Sequence, residues 1–130
     1  MPGWEQALAN VIALARTRTV AYGTHDCCAF SASAVEAITG VDYLAEFRGY
    51  QTPREASVLL KKYGGLRNIL IKYFGQPVDY KQARRGDVVL LPPHTLGLCL
   101  GKRALYPRKG GGLISQSLDP EQEVWHTCLR

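Results

Sequence analysis

The chain has 130 residues, 46% of them hydrophobic and 21% charged, with 7 prolines and 13 glycines; this mixture excludes disordered, collagen-like and coiled-coil chains and suffices for one real core. Lys and Arg number 16 against 11 acids, a formal charge of +5, which favours an acidic partner such as nucleic acid, lipid headgroups or an anionic cell-wall polymer. The basic residues are scattered and no nucleic-acid motif accompanies them, so no nucleic-acid partner is expected.

No run approaches the roughly 18 apolar residues of a spanning helix, and no basic residue precedes the first apolar segment, so neither a membrane span nor an export signal is expected. Trp4, Leu8, Val11, Ile12 and Ala15 recur at the spacing of one helical face and predict an amphipathic helix over about 5–16. After a linker over 17–23, Asp26 is a good N-cap for a second helix. Its apolar face carries Cys27, Phe30, Ser31, Ala34, Val35 and Ile38, and Gly40 stops it.

Thr52-Pro53-Arg54-Glu55 reads as a capping box with proline at the first helical position. Ala56, Leu59, Leu60 and Tyr63 form the stripe of that third helix until Gly64-Gly65. Leu66, Ile69, Leu70 and Tyr73 repeat the pattern in a short fourth helix closed by Gly75 and Pro77. From Gly86 the pattern changes to short apolar or alternating runs, DVVLL, TLGLCLG, RALYP, GLISQSL and EVWHTCL, separated by Pro and Gly. Helices over about 1–75 followed by strands over about 86–130, without βαβ alternation, predict one α+β domain with its helices packed on an antiparallel sheet.

The four cysteines, Cys27, Cys28, Cys99 and Cys128, lack C-x-x-C spacing, so a reduced chain with free thiols is expected and neither a metal nor another cofactor. Adjacent Cys27 and Cys28 would make poor tetrahedral ligands. Cys28 and Cys99 read as core residues. Cys27 differs, because the first turn of a helix lowers a thiol's pKa and offers backbone N–H groups to an oxyanion. The residues alone leave open whether it does chemistry or merely packs, as buried thiols often do. Of the three histidines, His25 lies two residues from Cys27 and can reach either the thiol or its own loop, His94 follows Pro92-Pro93, and His126 lies in the last strand segment.

Gly23-x-His25-Asp26-Cys27-x-x-Phe30 at a helix start, then Arg85-Gly86-Asp87-Val88-Val89, then Leu96-Gly97-Leu98-Cys99-Leu100-Gly101, resembles the NlpC-type branch of the papain-like cysteine peptidases. With Trp4 in the first helix and Trp125 near the end, the chain is most similar to a short phage and prophage tail-associated variant. The resemblance implies a papain-like fold, Cys27 as nucleophile, a histidine at the start of a core strand as base, a structural role for Asp87, and a polar orienting residue near Tyr106. It implies peptidoglycan stem peptides as substrate, cut at an amide of an acidic D-residue. Other tail-tip or baseplate proteins are the implied partners, and the virion tail the implied location.

The chain departs from that pattern at two places. Thr95 stands directly before Leu96-Gly97, where the family has its histidine, and His94 sits one residue earlier, an offset that reverses faces in a regular strand. Tyr106 is an unusual orienter. Two readings therefore stand: a peptidase or amidase using Cys27 and His94, with His25 as a local alternative, or a catalytically decayed module that serves tail-tip assembly.

Overall fold

The computed structural model describes residues 3–17, 26–45, 50–92, 95–108 and 111–127. Its helices are α1 (Trp4–Ala15), α2 (Cys27–Thr39), α3 (Pro53–Lys62) and α4 (Leu66–Phe74), followed by a 3-10 turn at Tyr80–Gln82. Five strands follow: β1 (Val88–Leu91), β2 (Thr95–Cys99), β3 (Arg103–Pro107), β4 (Leu113–Ser117) and β5 (Glu123–Trp125). All pair antiparallel in the order β4-β3-β2-β1-β5. The expected α+β arrangement, helices first and an antiparallel sheet after, is present. None of the described helices is long and apolar enough to cross a membrane.

Local chemistry sets the helix ends. Thr52 accepts the Glu55 N–H at 3.1 Å with Pro53 at the first helical position, and Gly40 ends α2 at φ +83°, a conformation that costs glycine no steric penalty. The Thr52 hydroxyl also donates to Glu55 Oε1 at 3.3 Å.

Strand alternation divides the sheet into two faces. Leu96, Val88, Leu90 and Trp125 meet α2 and α4 through Ala32, Val35, Ile69 and Leu70. Leu98 and Leu105 on the same face meet Phe30 of α2 and Leu8 and Ile12 of α1. Val89, Cys99, Ala104, Tyr106 and Val124 form the opposite face, covered by Val78, Tyr80 and Ala83 from the segment between α4 and β1. Two longer-range ties hold α4 to β5: Trp125 Nε1 donates to Gly75 O at 2.9 Å, and Arg67 Nε lies 2.9 Å from Glu123 Oε1.

Close approach explains one glycine. A Cβ on Gly97 would stand 2.5 Å from Tyr106 Cε1 and 2.7 Å from the Leu105 carbonyl oxygen, so β2 can lie against β3 there only without a side chain. Gly97→Ala is expected to lose about 1–3 kcal/mol of stability by overpacking, read as a lower urea midpoint. A midpoint equal to wild type would show that the Tyr106 ring moves aside freely.

Candidate active site

Asp26 starts the site. It stands extended at φ −131°, ψ −175°, and its Oδ1 accepts the Ala29 N–H at 2.7 Å, the geometry of an N-cap. Its Oδ2 accepts the Tyr50 hydroxyl at 2.6 Å. Only 5% of the residue is exposed, so both hydrogen bonds replace water for a buried carboxylate. Burial, and then the bond to Asp26, push the Tyr50 hydroxyl's pKa up, which keeps Tyr50 protonated as the donor.

That cap makes Cys27 the first residue of α2, as the sequence predicts. Its sulfur faces the thiol of Cys28, the Leu96 N–H at the start of β2, and the Cys28 N–H. The Cys28 thiol is the largest influence lowering the Cys27 pKa; burial and the Asp26 charge oppose it, and the two N–H groups assist, so the net direction is downward. Cys28 moves the opposite way, because its proton is held by the Cys27 sulfur and burial also disfavours its ionised form. The two thiols titrate as a coupled pair, Cys27 shifted down and Cys28 up.

Cys27 and Cys28 are both half-buried and open onto a cavity of about 500 Å³ lined also by Tyr50, Ala56, Leu60 and Leu66. Cys28, expected in the core, is partly buried against it and also lines the cavity. Cys99 is fully buried, as expected, with its thiol 3.3 Å from the Gly101 carbonyl oxygen.

The histidines divide differently. His25 and His94, the two expected to serve Cys27, lie outside the described residues. His126 directly follows β5, and its Nδ1 is 2.7 Å from Asp87 Oδ2, which also accepts the Arg84 N–H at 2.8 Å. Asp87 shares parity with Val89, and His126 with Val124, so this pair belongs to the sheet face opposite α2. Thr127 continues the attachment by donating to the Gly86 carbonyl at 2.9 Å. The pair fastens the end of β5 to the Arg84–Asp87 turn, which agrees with a structural Asp87.

Tyr106, the expected orienting position, also lies on that opposite face. It packs with Val89 and Cys99, and its hydroxyl accepts from Gln122 Nε2 at 2.9 Å. Leu105, its neighbour, takes the helix-facing position. Sequence reasoning missed Tyr50, which follows no recognisable pattern, and the service of Cys28 to Cys27, for which vicinal placement at a helix start was the available signal. Among the described residues no three His, Cys, Asp or Glu side chains converge as a metal ion would require.

Fold and site together define an α+β protein with a thiol of lowered pKa at a capped helix N-terminus, opening onto a cavity. The family described as "Domain of unknown function (DUF6950)" matches residues 1–127, and the chain belongs to it. No curated protein matches the chain.

Proposed function

We propose that the protein is a papain-like cysteine peptidase or amidase of a phage tail that opens peptidoglycan stem peptides during genome entry. The observation that carries this reading is the setting of Cys27: first residue of a capped helix, its sulfur ringed by three donors, beside a cavity. Helix-terminal thiols in such settings are the ionised, nucleophilic ones.

In the proposed reaction the Cys27 thiolate attacks the amide carbonyl carbon. The C–N bond breaks as the amine leaves with a proton from the base, and the acyl group remains as a thioester on Sγ. Water then attacks the thioester carbonyl and gives a proton to the base, releasing the carboxylic acid and Cys27. His94 is the proposed base. The Leu96 N–H faces the Cys27 sulfur, and His94 precedes Leu96 by two positions in the sequence. His25 is the local alternative. Tail-tip or baseplate proteins are the proposed partners in the virion.

One observation favours a second reading, a catalytically decayed module retained for tail assembly: Tyr106 faces away from α2, which leaves that position unable to orient a histidine beside Cys27. Iodoacetamide alkylation of Cys27 against pH, with the adduct located by peptide mapping, separates the two. The enzyme reading expects half-maximal rate well below the ordinary thiol value of about 8.5. Cys28→Ala, which removes the leading donor, should move the midpoint up and slow alkylation on the acid side, while Cys28→Ser, which keeps a donor, should retain part of the shift. An ordinary profile in the wild-type protein sinks the enzyme reading and leaves the assembly module.

A further inference from the structure

In the proposed reaction Cys28 does no more for Cys27 than donate a hydrogen bond, a service that a serine hydroxyl would also render. Sulfur at this position adds a chemistry that oxygen lacks, because two neighbouring thiols can give up electrons and join. The pair is placed for it. The two side chains are in hydrogen-bond contact, and the Cys28 sulfur also faces the Tyr50 hydroxyl. Both thiols are free and half-buried, and both line the cavity of about 500 Å³, which has room for a small hydroperoxide. Cys99, by contrast, is fully buried with its thiol 3.3 Å from the Gly101 carbonyl oxygen. Among the described cysteines an oxidant therefore meets Cys27 and Cys28 first.

We propose that Cys27 and Cys28 form a peroxide-sensitive redox pair, in which a disulfide between them switches the nucleophile off and thiol reductants switch it on again. The inference rests on Cys27 as the nucleophile and adds the regulation of that site. The Cys27 thiolate attacks one oxygen of hydrogen peroxide, the O–O bond breaks, hydroxide leaves, and Cys27 becomes a sulfenic acid. The Cys28 sulfur then attacks the Cys27 sulfur, the S–O bond breaks, and the departing hydroxyl takes the Cys28 proton as water. The two sulfurs together lose the electron pair that the peroxide gains. An external dithiol reverses the bond by exchange, becoming a disulfide itself and returning both protein thiols.

Geometry favours that reversal. Disulfides ordinarily join Cα atoms roughly 4.4–6.8 Å apart, whereas neighbours across a trans peptide stand about 3.8 Å apart. Both residues belong to the first turn of α2, so closing the ring distorts that turn and pulls on the Asp26 cap at the Ala29 N–H. A strained disulfide is the more readily reduced. Without Cys28 the sulfenic acid has no adjacent thiol and proceeds with a second peroxide to the sulfinic acid, which thiols do not reduce. Cys28 thereby turns a permanent loss of the nucleophile into a temporary one.

Hydrogen peroxide titration of the full chain, followed by iodoacetamide and tryptic mapping, tests this. In the wild-type protein the peptide 19–48, which holds both thiols, is expected to become two hydrogens lighter with no second peptide attached. It should lose its iodoacetamide adducts and regain them after dithiothreitol. In Cys28→Ser, which keeps a hydrogen-bond donor beside Cys27, the same dose should leave that peptide two oxygens heavier, and dithiothreitol should not restore the adduct. Cys28→Ala should behave as Cys28→Ser does and serves if the serine variant fails to fold.

A wild-type peptide that peroxide leaves unchanged, that gains two oxygens as fast as in the Cys28 variants, or that becomes joined to the Cys128 peptide overturns the proposal. A reversible Cys27–Cys28 disulfide found with an ordinary Cys27 alkylation profile upholds the redox pair and overturns the nucleophile assignment. A low alkylation midpoint without the disulfide does the reverse, so the two failures are distinguishable.

Discussion

Cys27→Ala is expected to lower the release of new amino termini from purified peptidoglycan by at least about 1000-fold, the scale at which loss of a nucleophile acts. The fold should survive the change. The end of α2 is held by Asp26 through the Ala29 N–H, not by the thiol, and alanine is the better helix former. Stability within about 1 kcal/mol of wild type is therefore expected, measured by urea denaturation beside the activity assay. Cys28→Ala should behave otherwise, losing rate on the acid side of the profile while remaining active at alkaline pH, because it removes a donor and leaves the sulfur. If Cys27→Ala keeps activity within tenfold, the nucleophile lies elsewhere and the site reading fails.

Such a contrast is possible because the neighbourhood of Cys27 combines local and distant contributions, and only the local ones are visible in the sequence. Capping is chemistry within four residues, so Asp26, Thr52 and Gly40 could be read directly, and with them the address of Cys27. The strands were legible for the same reason: each is a short apolar run between turn residues, and antiparallel neighbours need only short connections.

What escaped the sequence depends on which face of an element meets which partner. Tyr50 reaches Asp26 across 24 positions, and no pattern marks a donor in that segment. His126 meets Asp87 across 39 positions because β5 returns to pair with β1, a register that puts it on the sheet face opposite α2. Motif matching put Tyr106 in an orienting position, but alternation along β3 gives Leu105 to the helices and Tyr106 to the other face. A one-residue displacement in a strand exchanges faces, and motif spacing alone does not show which face a residue near the motif takes.

Asp26→Ala is expected to produce the largest stability loss among the site variants, about 2–5 kcal/mol. The helix cap accounts for about 1–2 kcal/mol, and stranding the buried Tyr50 hydroxyl adds about 1–3 kcal/mol. Tyr50→Phe alone should cost less, since the Asp26 carboxylate keeps its Ala29 N–H. In the double variant neither group is stranded, so its loss should fall short of the sum of the single losses by about 0.5–3 kcal/mol. Asp26→Asn isolates the charge: the amide oxygen can still cap α2, and because the Asp26 charge opposes ionisation of Cys27, the Cys27 alkylation midpoint should move further down. Urea midpoints for the four members of the cycle, with the alkylation profile of Asp26→Asn, check both statements. Strict additivity would mean that Tyr50 and Asp26 do not act as one unit, and an upward shift in Asp26→Asn would mean that the capping geometry, rather than the charge, governs the thiol.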